Sequence, residues 1–337
     1  MVETKLERIA EISATTKRPI FTSLYHLINA ELLTQCHREL DGKKAVGIDK
    51  VTKEEYEQHL EGNVADLVQH LKNKSYKPLP TRRVCIPKAN GKLRPLGIVS
   101  FEDKIVQLAV KKILEAIYEP RFLNCMYGFR PKRGCHEAVK EVYQRISYGK
   151  INYIVDADIK GFFDHIDHEW MMKFLEWNIK DPNLLWLIRK YLKAGVMVDG
   201  KYEDIEEGTV QGGNISPTLA NIYMHNVLTL WFKQVVQKEA RGECFLVNYA
   251  DDFVAGFQYR SDAEQYYMAL KERMAKFNLE LEESKSRLIE FGRYAEQNRK
   301  ARGLKTMNLK MPNGVLKSCQ GNFKNRRLFW RRFLKIL

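Results

Sequence analysis

Residues 245–257 read Phe-Leu-Val-Asn-Tyr-Ala-Asp-Asp-Phe-Val-Ala-Gly-Phe, two short apolar runs with a pair of carboxylates between them. Apolar runs of this length read as buried strands, so the pattern predicts a hairpin with Asp251 and Asp252 at its tip. Upstream, Tyr153-Ile154-Val155-Asp156-Ala157-Asp158-Ile159 again sets acids into an apolar strand. Side chains alternate along a strand, which puts Asp156 and Asp158 on one face near its end. Burying an unpaired carboxylate is costly, so acids beside residues this apolar need cations or protons close by. Mg²⁺ is the simplest cation to suit them. It takes oxygen ligands and one or two carboxylates from a protein, and leaves positions for water and phosphate. Two such ions could activate a hydroxyl and stabilise a leaving pyrophosphate in an in-line displacement. Taken alone, Asp251-Asp252 suits an ordinary turn as well.

Away from these strands the chain mixes helical and strand periodicities. Leu24, Leu27, Ile28, Leu32 and Leu33 form a helical stripe over 21–40, and a second helix is expected over 53–71. Residues 82–87 and 93–99 read as strands joined through Ala89-Asn90-Gly91, because Asn-Gly is a strong hairpin signal. Ser100, with Asp103 three residues on, starts a helix that stops before Pro120. Further helices are expected over 137–148, 168–177, 184–192, 219–239 and 262–278. The layout is α+β, without internal repeats or a low-complexity linker.

A chain of 337 residues suffices for about two domains, and 45% apolar with 29% charged residues is the balance of a folding protein. No apolar run approaches the roughly 18 residues of a membrane span. Glu3, Lys5, Glu7 and Arg8 interrupt the start, leaving no signal-peptide core, so a cytoplasmic location is expected. Six cysteines without close pairs or zinc spacing read as reduced packing residues. The net charge of +14 is concentrated, since residues 285–337 hold 15 basic and 2 acidic side chains. From Lys72 to Arg94 another eight basic residues occur with no acid. Two such fields suit a polyanion, and a nucleic-acid partner is expected.

The carboxylates belong to an ordered series of blocks. The series runs Gly47-Ile48-Asp49, Ile86-Pro87-Lys88, Gly91-Lys92-Leu93-Arg94-Pro95-Leu96-Gly97-Ile98 and Tyr127-Gly128-Phe129-Arg130-Pro131. It continues with Asp158-Ile159-Lys160-Gly161-Phe162-Phe163-Asp164, Gln211-Gly212-Gly213-Asn214-Ile215-Ser216-Pro217, Tyr249-Ala250-Asp251-Asp252 and Glu283-Ser284-Lys285-Ser286. In this order, from about Gly47 to Gly303, the sequence resembles the reverse transcriptases encoded by bacterial group II introns.

The resemblance implies the α+β right-hand polymerase core: a helical extension over 1–45, fingers over 46–150 and palm over 151–292. It also implies RNA-directed DNA synthesis, with dNTPs added to a primer 3′-hydroxyl on an RNA template by two Mg²⁺ ions, in the service of intron mobility. Asp158, Asp251 and Asp252 would hold the metals, and Asp156, outside the matched block, would be a structural neighbour. Phe163 would be the steric gate against a 2′-hydroxyl, where a lone Phe would otherwise read as core. Lys88 and Arg94 would bind the triphosphate, with Lys92 beside them. Gln211 and Gly212, followed by Gly213, would lie over the nascent base pair. Lys285 would bind or protonate the leaving pyrophosphate, a basic surface cap being the alternative. Arg130, Lys132 and Arg133 would touch template or primer phosphates. Asp164 reads as a turn residue. His165 and His168, flanking Asp167 at a helix start, receive no chemical role.

After Gly303 the resemblance stops, and the basic stretch 293–337 stands where the family has its thumb and maturase domain. A truncation or frame change near residue 305 is the expectation. Group II intron RNA is a further expected partner. Two other readings remain beside the polymerase: a non-catalytic RNA-binding or splicing-cofactor remnant, and a host-adopted reverse transcriptase in antiviral defence.

Overall fold

The computed structural model describes residues 2–87, 91, 93–198, 201–204, 206–209, 212–290, 300, 301 and 303. Helices α1 (Val2–Thr15), α2 (Ala30–Glu39), α3 (Lys53–Glu57) and α4 (Leu60–Lys72) lead into strands β1 (Thr81–Pro87) and β2 (Leu93–Ile98). Next come α5 (Phe101–Tyr118), α6 (Cys135–Tyr148), β3 (Tyr153–Asp158), α7 (His168–Glu176) and α8 (Pro182–Leu192). Short strands β4 (Val196–Val198) and β5 (Lys201–Glu203) precede α9 (Ser216–Met224), which continues through two π-helical turns into α10 (Gln237–Glu239). The hairpin β6 (Cys244–Tyr249) and β7 (Asp252–Phe257), then α11 (Arg260–Lys276) and β8 (Arg287–Glu290), complete a mixed α+β fold.

The chain divides into two compact units. One takes in the chain up to Phe122 together with Gly161–Tyr223, the other Leu123–Lys160 together with the described residues from Met224. In the first, α5 is the central element, with Ile105, Val106, Ala109, Val110, Ile113, Leu114 and Ile117 fully buried and α1 and α2 packed against it. Ser100 caps α5, accepting from Asp103 N, and Asp49 of the Gly-Ile-Asp block accepts from Phe101 N at 3.3 Å. The Asp103 carboxylate, 2% exposed, collects Ser100 Oγ, Leu79 N and the Tyr76 hydroxyl. Burial pushes its pKa up against these donors. The sheet of this unit has the order β2-β1-β4-β5, with β1 antiparallel to β2 and parallel to β4.

In the second unit the order is β6-β7-β3-β8, antiparallel throughout. One face carries Ile154, Val254, Phe245 and Val247 and is covered by Cys135, Ala138, Val139, Val142 and Ile146 of α6. The other packs on α11, with the Phe257 and Tyr266 ring centroids 5.1 Å apart. Strand alternation then places Asp156 and Asp158 on the α6 face, beyond Ile154.

Several expected helices are interrupted, each for a local reason. The stripe over 21–40 gives a single turn at Tyr25–Leu27 before α2, because the extended Asn29 caps α2 by accepting from Leu32 N. The helix expected over 53–71 divides into α3 and α4, and Asn63 Nδ2 donates to the freed Tyr56 carbonyl at 3.0 Å. The π turns after α9 free carbonyls that Arg273 of α11 satisfies, donating to Val227 O at 2.9 Å and Asn226 O at 3.1 Å. Cys36, Cys85, Cys125, Cys135 and Cys244 are free thiols. No helix among the described residues is long and apolar enough to cross a membrane.

Candidate active site

Ladder register decides where the carboxylates of the second unit fall. β3 ends with Asp158 directly opposite Asp252, the first residue of β7, while Tyr249 of β6 faces Asp252 from the other side. Directly opposed residues share a face, so Asp158 and Asp252 emerge together at the end of the ladder. Ala250 and Asp251 make the two-residue hairpin turn, with Ala250 at φ +60°. Asn248, fully buried, steadies this turn: its Nδ2 donates to Ala250 O at 2.7 Å. Asp251 and Asp252 are 5% and 4% exposed. Each has polar partners, yet Asp251 Oδ1 and Asp252 Oδ2 are buried oxygens that accept no hydrogen bond.

A second backbone segment is sealed onto the hairpin. Asn248 N donates to Cys125 O and Tyr127 N to Asn248 O, both at 2.8 Å, so residues 125–127 cover the edge of β6. Gly128 then lies directly on the turn, where a Cβ would stand 2.2 Å from Ala250 N and 2.9 Å from Ala250 Cα. Only glycine fits so close an approach of two backbones. Arg130, expected at a nucleic-acid surface, is instead buried, and its guanidinium donates to Leu123 O at 2.9 Å and Met126 O at 3.0 Å. Arg133 donates to Asn124 O and Oδ1 and lies over the Tyr127 ring. Both arginines therefore brace their own loop, because its carbonyls turn inward and need donors. Lys132 is exposed.

The far edge of β3 supplies cations. Ile159 bridges Leu281 and Glu282 N donates to Asp158 O at 2.8 Å, yet Asp156 pairs with Arg287. Between these two registers Glu283, Ser284 and Lys285 bulge out, closed by Lys285 N and Ser286 N donating to Glu282 O. The bulge brings Lys285 Nζ to 2.9 Å from Asp158 Oδ2, and Ser286 Oγ accepts from Asp158 N. One pair further along, Arg287 lies 3.3 Å from Asp156 Oδ2. Asp156 thus has a structural cation. Lys285 sits on the carboxylate expected to hold metal, a partnership not visible in the sequence because the bulge has no local signature.

The oxygen donors suit a hard divalent ion, and the buried acceptor oxygens on Asp251 and Asp252 fit one. Among the described residues no group of three or more His, Cys, Asp or Glu side chains is gathered to cage a metal. An ion of this class needs only one or two carboxylates, the rest of its shell being water and phosphate.

In the first unit the remaining expected residues fall around one loop. Gly208 N donates to Ile166 O at 2.8 Å and Thr209 N to Phe163 O at 2.7 Å. His168 Nε2 lies 2.6 Å from Gly208 O, so this histidine positions the loop. Farther along, Gly212 has φ +121°, and a Cβ there would meet Gly97 O of β2 at 2.5 Å. This clips the loop between the Phe163 turn and β2. Arg94, half-buried on β2, is in register with Ile86. Phe163 is 7% exposed and edge-on to Phe162. Lys88, Lys92 and Gln211 lie outside the described residues, as does nearly all of 293–337.

Residues 86–310, more than half of the chain, match the family described as reverse transcriptase (RNA-dependent DNA polymerase). The chain is similar to the group II intron-encoded protein LtrA of Lactococcus lactis subsp. cremoris, 39% identical over 224 residues that cover 66% of this chain and 37% of that protein. It is also similar to protein YkfC of Escherichia coli (strain K12), 38% identical over 187 residues, 55% of this chain and 49% of that protein. A third relative, an uncharacterized 91 kDa protein in a cob intron of Schizosaccharomyces pombe, is 41% identical over 161 residues, 48% of this chain and 20% of that protein. The chain thus spans between a fifth and a half of the length of these relatives. The matched residues include every carboxylate of the ladder end, and the chain belongs to the reverse transcriptase family.

Proposed function

We propose that this chain carries out RNA-directed DNA synthesis, extending a DNA primer on an RNA template with deoxynucleotides, with group II intron RNA as the associated nucleic acid. The observation that carries the reading is the ladder end, where Asp158 and Asp252 face one another beside the turn that holds Asp251. Asp251, Asp252 and, once Lys285 moves off it, Asp158 would hold two Mg²⁺ ions. These ions would supply charge neutralisation at the attacking hydroxyl and the leaving pyrophosphate. The protein's own part is positioning. Asn248 and Gly128 fix the turn, and the Lys285 ammonium, released from Asp158, would meet a pyrophosphate oxygen. Arg94, with Lys88, would bind the triphosphate, Phe163 would exclude a 2′-hydroxyl, and Gly212, with Gln211, would meet the base pair.

Primer extension by the purified chain, with Mg²⁺, an RNA template and a DNA primer, tests the reading. Extension that vanishes in Asp251→Ala is expected. Absence of extension, together with RNA binding that weakens as salt rises, would favour the non-catalytic RNA-binding reading.

A further inference from the structure

Phe129 is half-exposed, at 50%, between Gly128 and Arg130, both of which are anchored. Its backbone sits at φ +58°, a left-handed conformation that a bulky side chain rarely adopts. On one side Gly128 lies against the Asp251 turn, and on the other Arg130 is buried with its guanidinium on Leu123 O and Met126 O. Strain of this kind persists where surrounding structure imposes it, and it concentrates at functional positions. Here the anchoring on either side holds an aromatic ring half-exposed, one residue from the backbone of the carboxylate turn.

We propose that Phe129 is a stacking platform for a base of the primer–template, a role that rests on the polymerase reading above. The charge around it selects that occupant. From Leu123 to His136 there is no acidic residue, and of the basic ones Lys132 is exposed and Arg133 half-buried, Arg130 being buried within its own loop. Lys132 is exposed and shares the left-handed backbone, at φ +58°, and supplies a point charge for a phosphate three residues from the ring. Every base has a π face, so a ring paired with a cation recognises nucleic acid without regard to sequence. A ring held rigidly also loses little freedom on binding.

Phe129→Gly, Phe129→Leu and Phe129→Trp in the full chain, with thermal melting and the affinity for a labelled RNA-template, DNA-primer duplex at fixed salt, test this. Phe129→Gly relieves the backbone, so its melting temperature should equal or exceed that of the parent while its affinity drops roughly 5- to 100-fold, the loss of one base stack. Phe129→Leu should bind as weakly, Phe129→Trp as tightly as the parent. A 2-aminopurine stepped along the template near the primer end should be quenched at one position, and the quench should vanish in Phe129→Leu. Unchanged affinity in Phe129→Gly and Phe129→Leu, or a lowered melting temperature as their only effect, would overturn the proposal and make the ring a packing residue. Parent extension activity, measured in parallel, keeps the two readings apart. If the parent extends and the variants bind normally, only the stacking role falls. If the parent binds without extending, the polymerase reading falls while the affinities still judge the ring. If the parent binds no duplex, both fall.

Discussion

Substituting Gly128 by alanine puts a methyl group against the carboxylate turn and tests whether that turn is set by the loop lying on it. The added Cβ would stand 2.2 Å from Ala250 N, with Ala250 Cα and Tyr249 C at 2.9 Å. All three are backbone atoms, so no rotamer change relieves the contact. Reaching an ordinary 3.4 Å separation requires the turn to recede by about 1.2 Å. At an unencumbered site, glycine to alanine stabilises by about 0.4–1 kcal/mol through the unfolded state. Overpacking of this kind costs about 1–3 kcal/mol, so the balance is destabilising by roughly 1–2 kcal/mol. For a unit of this size that lowers the melting temperature by about 2–8 °C. A shift of about 1 Å at reacting groups can cost of order a hundredfold in rate, which is the larger expected effect. Calorimetry and primer extension measure the two, with Gly62→Ala as control, since nothing lies within 4 Å of a Cβ there. The control sits in α4 and should gain stability at no cost in rate. Parental melting and parental extension in Gly128→Ala would refute the claim that this backbone contact positions Asp251.

Three further outcomes are expected. Replacing Lys285 by methionine removes the ammonium 2.9 Å from Asp158, so stabilisation of the protein by added Mn²⁺ or Mg²⁺, read as a metal-dependent rise in melting temperature, should strengthen, while metal-free stability falls by about 1 kcal/mol because the ammonium is half-exposed to water; an unchanged metal response would show that Lys285 does not compete for the carboxylate. Asp252→Asn removes one of two like charges directly opposed across the ladder, and metal-free stability should rise by about 0.2–1 kcal/mol while synthesis is lost; a lower melting temperature would mean that the pair is not repulsive. Burial raises the folded pKa of Asp103 above its ordinary 3.8, so the folded protein holds that proton more tightly than the unfolded chain. Its contribution to stability is fully present below pH 3.8 and is lost as pH rises through the folded value. Urea unfolding from pH 3.5 to 6 should show this loss in the parent and not in Asp103→Asn, and parallel profiles would contradict it.

The sheet that bears the carboxylates was legible because its strands are apolar, short and interrupted by acids that no core would accept for packing alone. Ser100, whose side chain accepts from Asp103 N, could likewise be seen, since capping is a local rule. What escaped depends on distant partners. Strands β4, β5 and β8 are three or four residues long and exist only through pairing with β1 and β3 or with one another. Helix α1 buries only Val2, Ile9 and Ser13, too sparse a stripe to announce itself. Arg130, Lys132 and Arg133 are near neighbours with similar charge, yet one is buried, one exposed and one laid over Tyr127. Their fates follow from where Gly128 and the Asn248 pairing force the loop, and both act through contacts with a hairpin far along the chain.

The recognisable blocks divide by what they contribute. Gly128 and Gly212 let backbones touch, Asp49 receives the first amide of α5, Asn248 ties the hairpin turn, and Ser286 receives the amide of Asp158. Gly128, Asp49, Asn248 and Ser286 need meet no ligand to do this. Asp158, Asp251 and Asp252 are the opposite case, since two of them are like charges in register and two carry buried acceptor oxygens without donors. A hairpin selected for stability alone would replace them, because like charges in register repel and buried acceptors without donors are costly. The blocks that contribute backbone contacts are therefore best read as what keeps these unfavourable carboxylates in place. It follows that scaffold and chemistry are separable by mutation. Neutralising a carboxylate should leave a folded, stable chain, whereas disturbing a glycine should cost both fold and rate.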